Sequence, residues 1–241
     1  MRLLVSVRVP EEVDAALAGG ADIIDAKEPA HGSLGSVAPE VLARIGERIP
    51  GSVPLSVALG DATNPHQLGL LVRATALPER RAETLAKVGF ADRPAKAIKP
   101  IIRTGLQAAA QRGMVLVPVA YADHANAGSL PPGQILDAAS ASGARAFLID
   151  TYLKNGGSLL SWIDLAVLAR LANQARQAGM LFALAGSLDG PELEAVAGIA
   201  DVVGVRGAAC RGGRSGVVDA ALVRALRERL SASVPVLGSA L

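Results

Sequence analysis

Eight short aliphatic runs, each followed by an Ala- and Leu-rich stretch with helical spacing, alternate along nearly the whole chain. The runs are LLVSV (3 to 7), DIIDA (22 to 26), PLSVA (54 to 58), TLAKV (84 to 88), VLVPVA (115 to 120), AFLID (146 to 150), LFALA (181 to 185) and DVVGV (201 to 205). Val, Leu and Ile dominate them, as in strands buried on both faces of a parallel sheet. Helical spacing marks the segments between, among them Pro10 to Ala18, Ser161 to Ala178 and Val218 to Leu230. At 241 residues and 51% hydrophobic side chains, the length suits eight βα units. We expect an α/β fold, a TIM (β/α)8 barrel forming one domain over residues 1–241, in preference to an open doubly wound sheet.

The polar and Gly-rich breaks (28 to 36, 60 to 66, 121 to 133, 151 to 158 and 207 to 216) follow strands, while several returns from helix to strand are only a few residues long. In a TIM barrel the loops after the strands build the active site.

Lysine is scarce, and its placement is the chemical signal. Of 24 cationic side chains only Lys27, Lys87, Lys96, Lys99 and Lys154 are lysine. Arginine keeps its proton, whereas a lysine in a poorly solvated, positively charged site can lose its own and attack a carbonyl. Lys27, Lys87 and Lys154 fall at or just after strand ends, where a closed barrel points them into one cavity. Lys96 and Lys99 fall on a helix before Pro100 and read as solvated.

Alternation along the second strand puts Ile23, Asp25 and Lys27 on one face, with Lys27 nearest the carboxyl end. One reading is a nucleophilic lysine oriented by a carboxylate that also handles protons; the other is an internal ion pair that only neutralises itself. In the fourth strand Lys87 shares a face with Leu85. It is either a strand-end lysine reaching water or a second amine near the same mouth, whose repulsion with Lys27 favours a neutral form. Asp150 ends the sixth strand and Lys154 follows in IDTYLKNGGS, where Lys-Asn-Gly-Gly also reads as an ordinary exposed turn.

Backbone amides for phosphate are expected after strands seven and eight, at Gly186 and Ser187 and at Arg206, Gly207 and Ala208, ahead of the Gly212–Gly216 run. Ser33 and Gly35, in the segment Gly32-Ser33-Leu34-Gly35, suggest a second nest. Each Gly cluster on its own also reads as a plain turn.

Other chemistries find little support. Aromatic residues are 2% and the formal charge is +2 with no basic run, which argues against a nucleic-acid partner. His31, His66 and His124 lie on different loops without metal-ligand spacing, and with the lone Cys210 they make no zinc motif. No metal and no cofactor are expected. A single cysteine cannot form an intramolecular disulfide, and no signal peptide or membrane anchor is visible, so the expectation is a cytoplasmic protein without a membrane partner. Oligomeric state is not readable from these residues, and a homo-oligomer stays open.

The segments LLVSVR, GGADIIDAKEPAHGSLG, VALGD, LAKVGF, VPVAYAD, FLIDTYLKNGGSLL, ALAGSL and DVVGVRGAAC resemble the (5-formylfuran-3-yl)methyl phosphate synthases over nearly the whole chain. DAKxP followed by GSLG, and DTxxKxG, are the most specific of them. The resemblance implies a TIM barrel that condenses two molecules of glyceraldehyde 3-phosphate into a furan aldehyde phosphate, a precursor in methanofuran-type cofactor biosynthesis, through a lysine Schiff base. It implies Lys27 as the Schiff-base lysine and Lys87 as proton acceptor, with Asp25, Asp150 and Lys154 in the active site. Two alternatives remain at this level: a generic class I phosphosugar aldolase, and a non-catalytic barrel that binds phosphorylated ligands.

Overall fold

A computed structural model describes residues 1–75, 77 and 81–232. Strands β1 (Arg2–Val7), β2 (Ile23–Ala26), β3 (Leu55–Asp61), β4 (Thr84–Gly89), β5 (Met114–Tyr121), β6 (Ala146–Asp150), β7 (Leu181–Leu184) and β8 (Val202–Val205) pair in sequence order. The ring closes where β1 meets β8, with Arg2 opposite Val202 and Val5 opposite Val205. All eight aliphatic runs are strands, and every pairing in the ring is parallel. The fold is thus the expected TIM barrel in a single domain, and the nine carboxyl-terminal residues of the expected 1–241 span lie outside the described residues.

Helices α1 (Glu12–Ala18), α2 (Pro39–Arg48), α3 (Pro65–Ala74), α4 (Ala95–Ala110), α5 (Pro132–Ser140), α6 (Leu165–Gln177), α7 (Gly190–Ala195) and α8 (Ala220–Ala232) form the outer layer. Alternation divides the burial. On β1 the outward Leu3, Val5 and Val7 join α1 residues Val13 and Ala16 in the core between sheet and helices. Inward Val117, Val119, Tyr121 and Leu148 form a smaller core inside the barrel. Burying a side chain such as Leu3 or Val5 contributes roughly 1.5–3 kcal/mol, so both layers hold the ring that aims the strand ends.

Three helix boundaries differ from the sequence pattern. The first helix begins at Glu12 rather than Pro10. Residues 159 to 161 form a separate 3-10 turn, and α6 starts only after Asp164, whose extended backbone occupies the N-cap position. Val218 pairs with Cys210 in a two-residue hairpin. The Asp219 carboxylate then accepts the Ala221 and Leu222 amides, so α8 begins at Ala220; side-chain capping overrides the apolar period here. Among the described residues no helix is long and apolar enough to cross a membrane.

Candidate active site

The register sets the depth of each functional group. Ser6, Asp25 and Ser56 stand side by side on β1, β2 and β3. Lys87 stands one layer nearer the mouth, opposite Ala58 and Val117. Lys27 directly follows β2, and its amide donates to the Val7 carbonyl at 3.0 Å, continuing the ladder one residue past the strand. These residues, together with Asp150 and Lys154, line one cavity of about 300 Å3 at the carboxyl end of the barrel.

The three lysines are not equivalent. Lys87 Nζ lies 2.7 Å from each Asp25 oxygen, and the Ser6 hydroxyl donates to Asp25 Oδ2 at 2.8 Å. Lys154 Nζ donates to Asp150 Oδ1 at 2.5 Å and to Thr151 Oγ1 at 3.0 Å. Lys27 Nζ, by contrast, has only a long 3.6 Å approach to Asp150 Oδ2 and donates no hydrogen bond to the protein among the described residues. Its side chain is 8% exposed. Burial pushes the Lys27 ammonium down to about 7; Asp150 opposes this, while Lys154 and Lys87 add to it. Burial also lowers Lys154, against the pull of Asp150. For Asp150 burial alone would raise the pKa, but Lys154 and Lys27, with the Thr151 amide, hold it well below the carboxylate range. The result is an ionised acceptor beside a readily deprotonated amine.

The Asp25 carboxylate, which the sequence pattern places on one face with Lys27, reaches Lys87 directly. Among the described residues Ser56 Oγ is buried without a hydrogen-bond partner, while Asp25 Oδ1 makes no aligned hydrogen bond although Lys87 Nζ lies 2.7 Å away. Buried acceptors left open in a cavity are places where arriving substrate protons find partners.

A residue that sequence reasoning passed over fixes the Lys154 loop. Asp123, just beyond β5, accepts the Tyr152 and Leu153 amides at 2.6 and 2.9 Å. From the other side the Ser33 hydroxyl donates to the Thr151 carbonyl at 2.7 Å and lies 3.3 Å from Asp150 Oδ2. The turn so clamped folds Lys154 back over Asp150. Ser33, expected to hold phosphate, therefore has its hydroxyl engaged by this loop. Gly35 closes the same segment: the Glu28 amide donates to its carbonyl at 2.9 Å.

After β7, Gly186 and Ser187 both adopt positive φ, 117° and 54°. A Cβ on Gly186 would press on Thr151, so this close approach requires glycine. Ser187 holds a strained left-handed backbone on the rim of the cavity. Among the described residues the amides of Gly186, Ser187, Gly207 and Ala208 donate to no protein acceptor, and all four residues line the cavity.

The Arg206 guanidinium, as distinct from the backbone amide expected to meet phosphate, is taken up within the protein. All five of its N–H donors are engaged: Nε by the Arg214 carbonyl, Nη1 by the Ser6 carbonyl and Glu12 Oε2, Nη2 by Glu12 Oε1 and the Gly216 carbonyl. Glu12, 1% exposed, also accepts the Arg8 amide at 2.8 Å. The pair ties the final loop to α1 across the barrel seam. Glu12→Gln would leave a buried guanidinium facing a neutral amide, at a cost of about 3 kcal/mol; chemical denaturation should show a lower midpoint with an unchanged m value. The cation this loop does present to the cavity is Arg214, which the sequence reading placed only within a Gly-rich run. Its Nη2 donates to the Pro29 and Gly32 carbonyls at 3.2 and 2.8 Å. Among the described residues Nε and Nη1 have no protein acceptor and no carboxylate pairs with it.

Lys96 and Lys99 are exposed on α4, and Cys210 is a buried free thiol. Among the described residues no cluster of His, Cys, Asp and Glu gathers in metal-binding geometry.

Comparison with known proteins places the chain in a family. The family described as 4-HFC-P synthase matches residues 3–227. The (5-formylfuran-3-yl)methyl phosphate synthase of Methanothermobacter thermautotrophicus is 35% identical, covering 95% of this chain and 99% of that protein. Its counterpart in Methanocaldococcus jannaschii is 33% identical over the same shares. Among solved structures, the phosphoribosyl anthranilate isomerase of Thermus thermophilus superposes with a TM-score of 0.60 at 19% identity, covering 96% of this chain and 99% of that one. KGPDC from Streptococcus mutans gives 0.59 at 14% identity, covering 95% and 97%; at such identities the likeness is one of fold. With the family match spanning almost the whole barrel and both synthases aligned end to end, the chain belongs to the (5-formylfuran-3-yl)methyl phosphate synthase family.

Proposed function

We propose that this protein condenses two molecules of glyceraldehyde 3-phosphate into (5-formylfuran-3-yl)methyl phosphate, acting as a carbon-oxygen lyase through a Schiff base on Lys27, in the biosynthesis of a methanofuran-type cofactor. The observation that carries this reading is the contrast among the lysines. Lys87 and Lys154 are held by carboxylates at 2.7 and 2.5 Å, whereas Lys27 is buried, lowered to about 7 and, among the described residues, without a hydrogen bond to the protein.

A neutral amine attacks the aldehyde carbon, and loss of water leaves an iminium that acidifies the neighbouring C–H. The Lys87–Asp25 pair stands beneath Lys27 and takes that proton as a unit. Asp150, held ionised, and Lys154 above it then exchange protons during aldol addition, loss of one phosphate and loss of two waters. The amides of Gly186, Ser187, Gly207 and Ala208, without a protein acceptor among the described residues, form one phosphate nest. The segment at Ser33 and Gly35 supplies a second through its backbone. The Arg206 guanidinium supports this arrangement from behind, its donors taken up by Glu12 and backbone carbonyls. No cofactor enters this scheme.

Incubation of the protein with glyceraldehyde 3-phosphate should generate near-ultraviolet absorbance from a conjugated furan aldehyde, together with inorganic phosphate. An open-chain sugar phosphate found by mass analysis would instead favour the aldolase reading, and unconsumed substrate the binding-barrel reading. The pH dependence has a definite sign. The amine attacks only when neutral, so imine formation should fall as pH drops below about 7. The neutral fraction of such a group changes roughly tenfold between pH 6 and 8, which borohydride trapping at fixed intervals will measure.

A further inference from the structure

Beside the main cavity a second, more open cleft of about 440 Å3 is lined by His31, Ser33, Asp61 and Tyr152, with Lys154 and Arg214 forming the wall common to both. Two opposite charges in it lack an ionic partner among the described residues. One is the Arg214 guanidinium, with Nε and Nη1 open. The other is Asp61, at the carboxyl end of β3. Its Oδ1 accepts the Ala91 amide and the Tyr121 hydroxyl, each at 2.8 Å, and its Oδ2 has no protein partner among the described residues.

The Asp61 carboxylate is held in a fixed orientation. Tyr121 is fully buried and packs edge-on against Tyr152 at 5.2 Å. Burial, with the Asp61 charge, raises its pKa well above the phenol range, so it remains a hydrogen-bond donor. Gly89 backs the pair: a Cβ there would overlap Asp61 Oδ1, the Tyr121 oxygen and Leu34. Oδ1 is thus fixed by two donors, which leaves Oδ2 as the open oxygen of a residue that lines the cleft. None of the proton-handling groups assigned above belongs to this cleft except Lys154 on its wall.

We propose that Asp61 is a further catalytic residue, acting as acid and base on the second triose phosphate while Arg214 holds that molecule's phosphate across the cleft. This rests on the two-triose reading above. After aldol addition, Oδ2 takes the proton from the carbon of the second triose next to the newly formed carbinol, and the C–H electron pair becomes the new C=C bond. The adjacent C–O bond breaks, and the departing hydroxyl leaves as water with the proton returned from Oδ2. The carboxylate ends as it began, and one water is lost.

Asp61→Asn tests this without dismantling the pair, because the amide oxygen still accepts from Ala91 and Tyr121. The variant should be trapped by borohydride at Lys27 with glyceraldehyde 3-phosphate to the same extent as the natural chain, yet form furan at least about 100-fold more slowly. Formate added to Asp61→Ala should restore part of the rate, which a loss of structure would not permit. Furan formation by Asp61→Asn within threefold of the natural rate would overturn the proposal, as would loss of trapping alongside furan. If the natural chain itself forms no furan, the two-triose reading fails and this proposal with it. If the natural chain and Asp61→Asn are equally active, only the role of Asp61 falls.

Discussion

Lys27→Arg should fold, keep its positive charge beside Asp150, and form no covalent adduct with glyceraldehyde 3-phosphate under borohydride. In the natural chain the same treatment should leave a reduced triose-derived mass on Lys27 alone. The asymmetry follows from geometry. An amine bound by a carboxylate at 2.5 or 2.7 Å, as Lys154 and Lys87 are, must break a charged hydrogen bond before it can attack. Among the described residues Lys27 has no such bond, only the 3.6 Å approach to Asp150. A guanidinium does not lose its proton in proteins and provides no free amine. Without the iminium the neighbouring C–H is not acidified, and furan formation should fall by at least about 10⁴-fold. Full activity in Lys27→Arg would reject Schiff-base chemistry at this site. An adduct on Lys87 instead would exchange the two roles.

The barrel was legible because the signal was periodic. Eight runs of Val, Leu and Ile, separated by segments of 3.6-residue spacing, admit few architectures in this length. Lys27, Lys87, Asp25 and Asp150 were legible because each charge interrupts or ends an apolar strand that parallel barrels bury. Burial without a partner is costly there, which makes each one conspicuous. The structure does gather all four with Lys154 in one cavity.

What escaped depends on contacts between residues distant in sequence. Arg206 lies in a Gly-rich loop expected to meet phosphate through its amides, and nothing local shows that Glu12, 194 positions away, occupies its guanidinium. Asp123 lies in a polar loop, where an aspartate is unremarkable until it is seen to accept the Tyr152 and Leu153 amides. Asp61 follows Gly60 in the VALGD segment and reads as turn composition; only its pairing with Tyr121, 60 positions on, gives it an orientation. In each case residue type announced a turn, and side-chain reach across the strand ends assigned the role. The helix starts that moved have a more local cause, since Asp164 and Asp219 sit at N-cap positions that the apolar period does not register.

Lys87→Arg should separate imine formation from the proton abstraction that comes after it. The guanidinium can still face Asp25, so the buried carboxylate keeps a cationic partner and the denaturation midpoint should shift little beside the change in rate. Trapping at Lys27 should persist, because attack on the aldehyde requires the Lys27 amine and not the pair beneath it. Furan formation should drop by about 10³-fold, within the span that a positioned acid or base contributes. The reason lies in the contact itself: Lys87 Nζ is 2.7 Å from both Asp25 oxygens, so amine and carboxylate can act together on the proton beside the iminium. Arginine holds its protons and removes that capacity from one member. Accumulated iminium in the steady state would place the block after Lys27 has reacted. Loss of trapping would give Lys87 a role in forming the imine. Furan production within tenfold of the natural rate would move the proton acceptor to Asp25, whose buried Oδ1 makes no aligned hydrogen bond among the described residues. Asp25→Asn should then abolish the reaction that Lys87→Arg had spared.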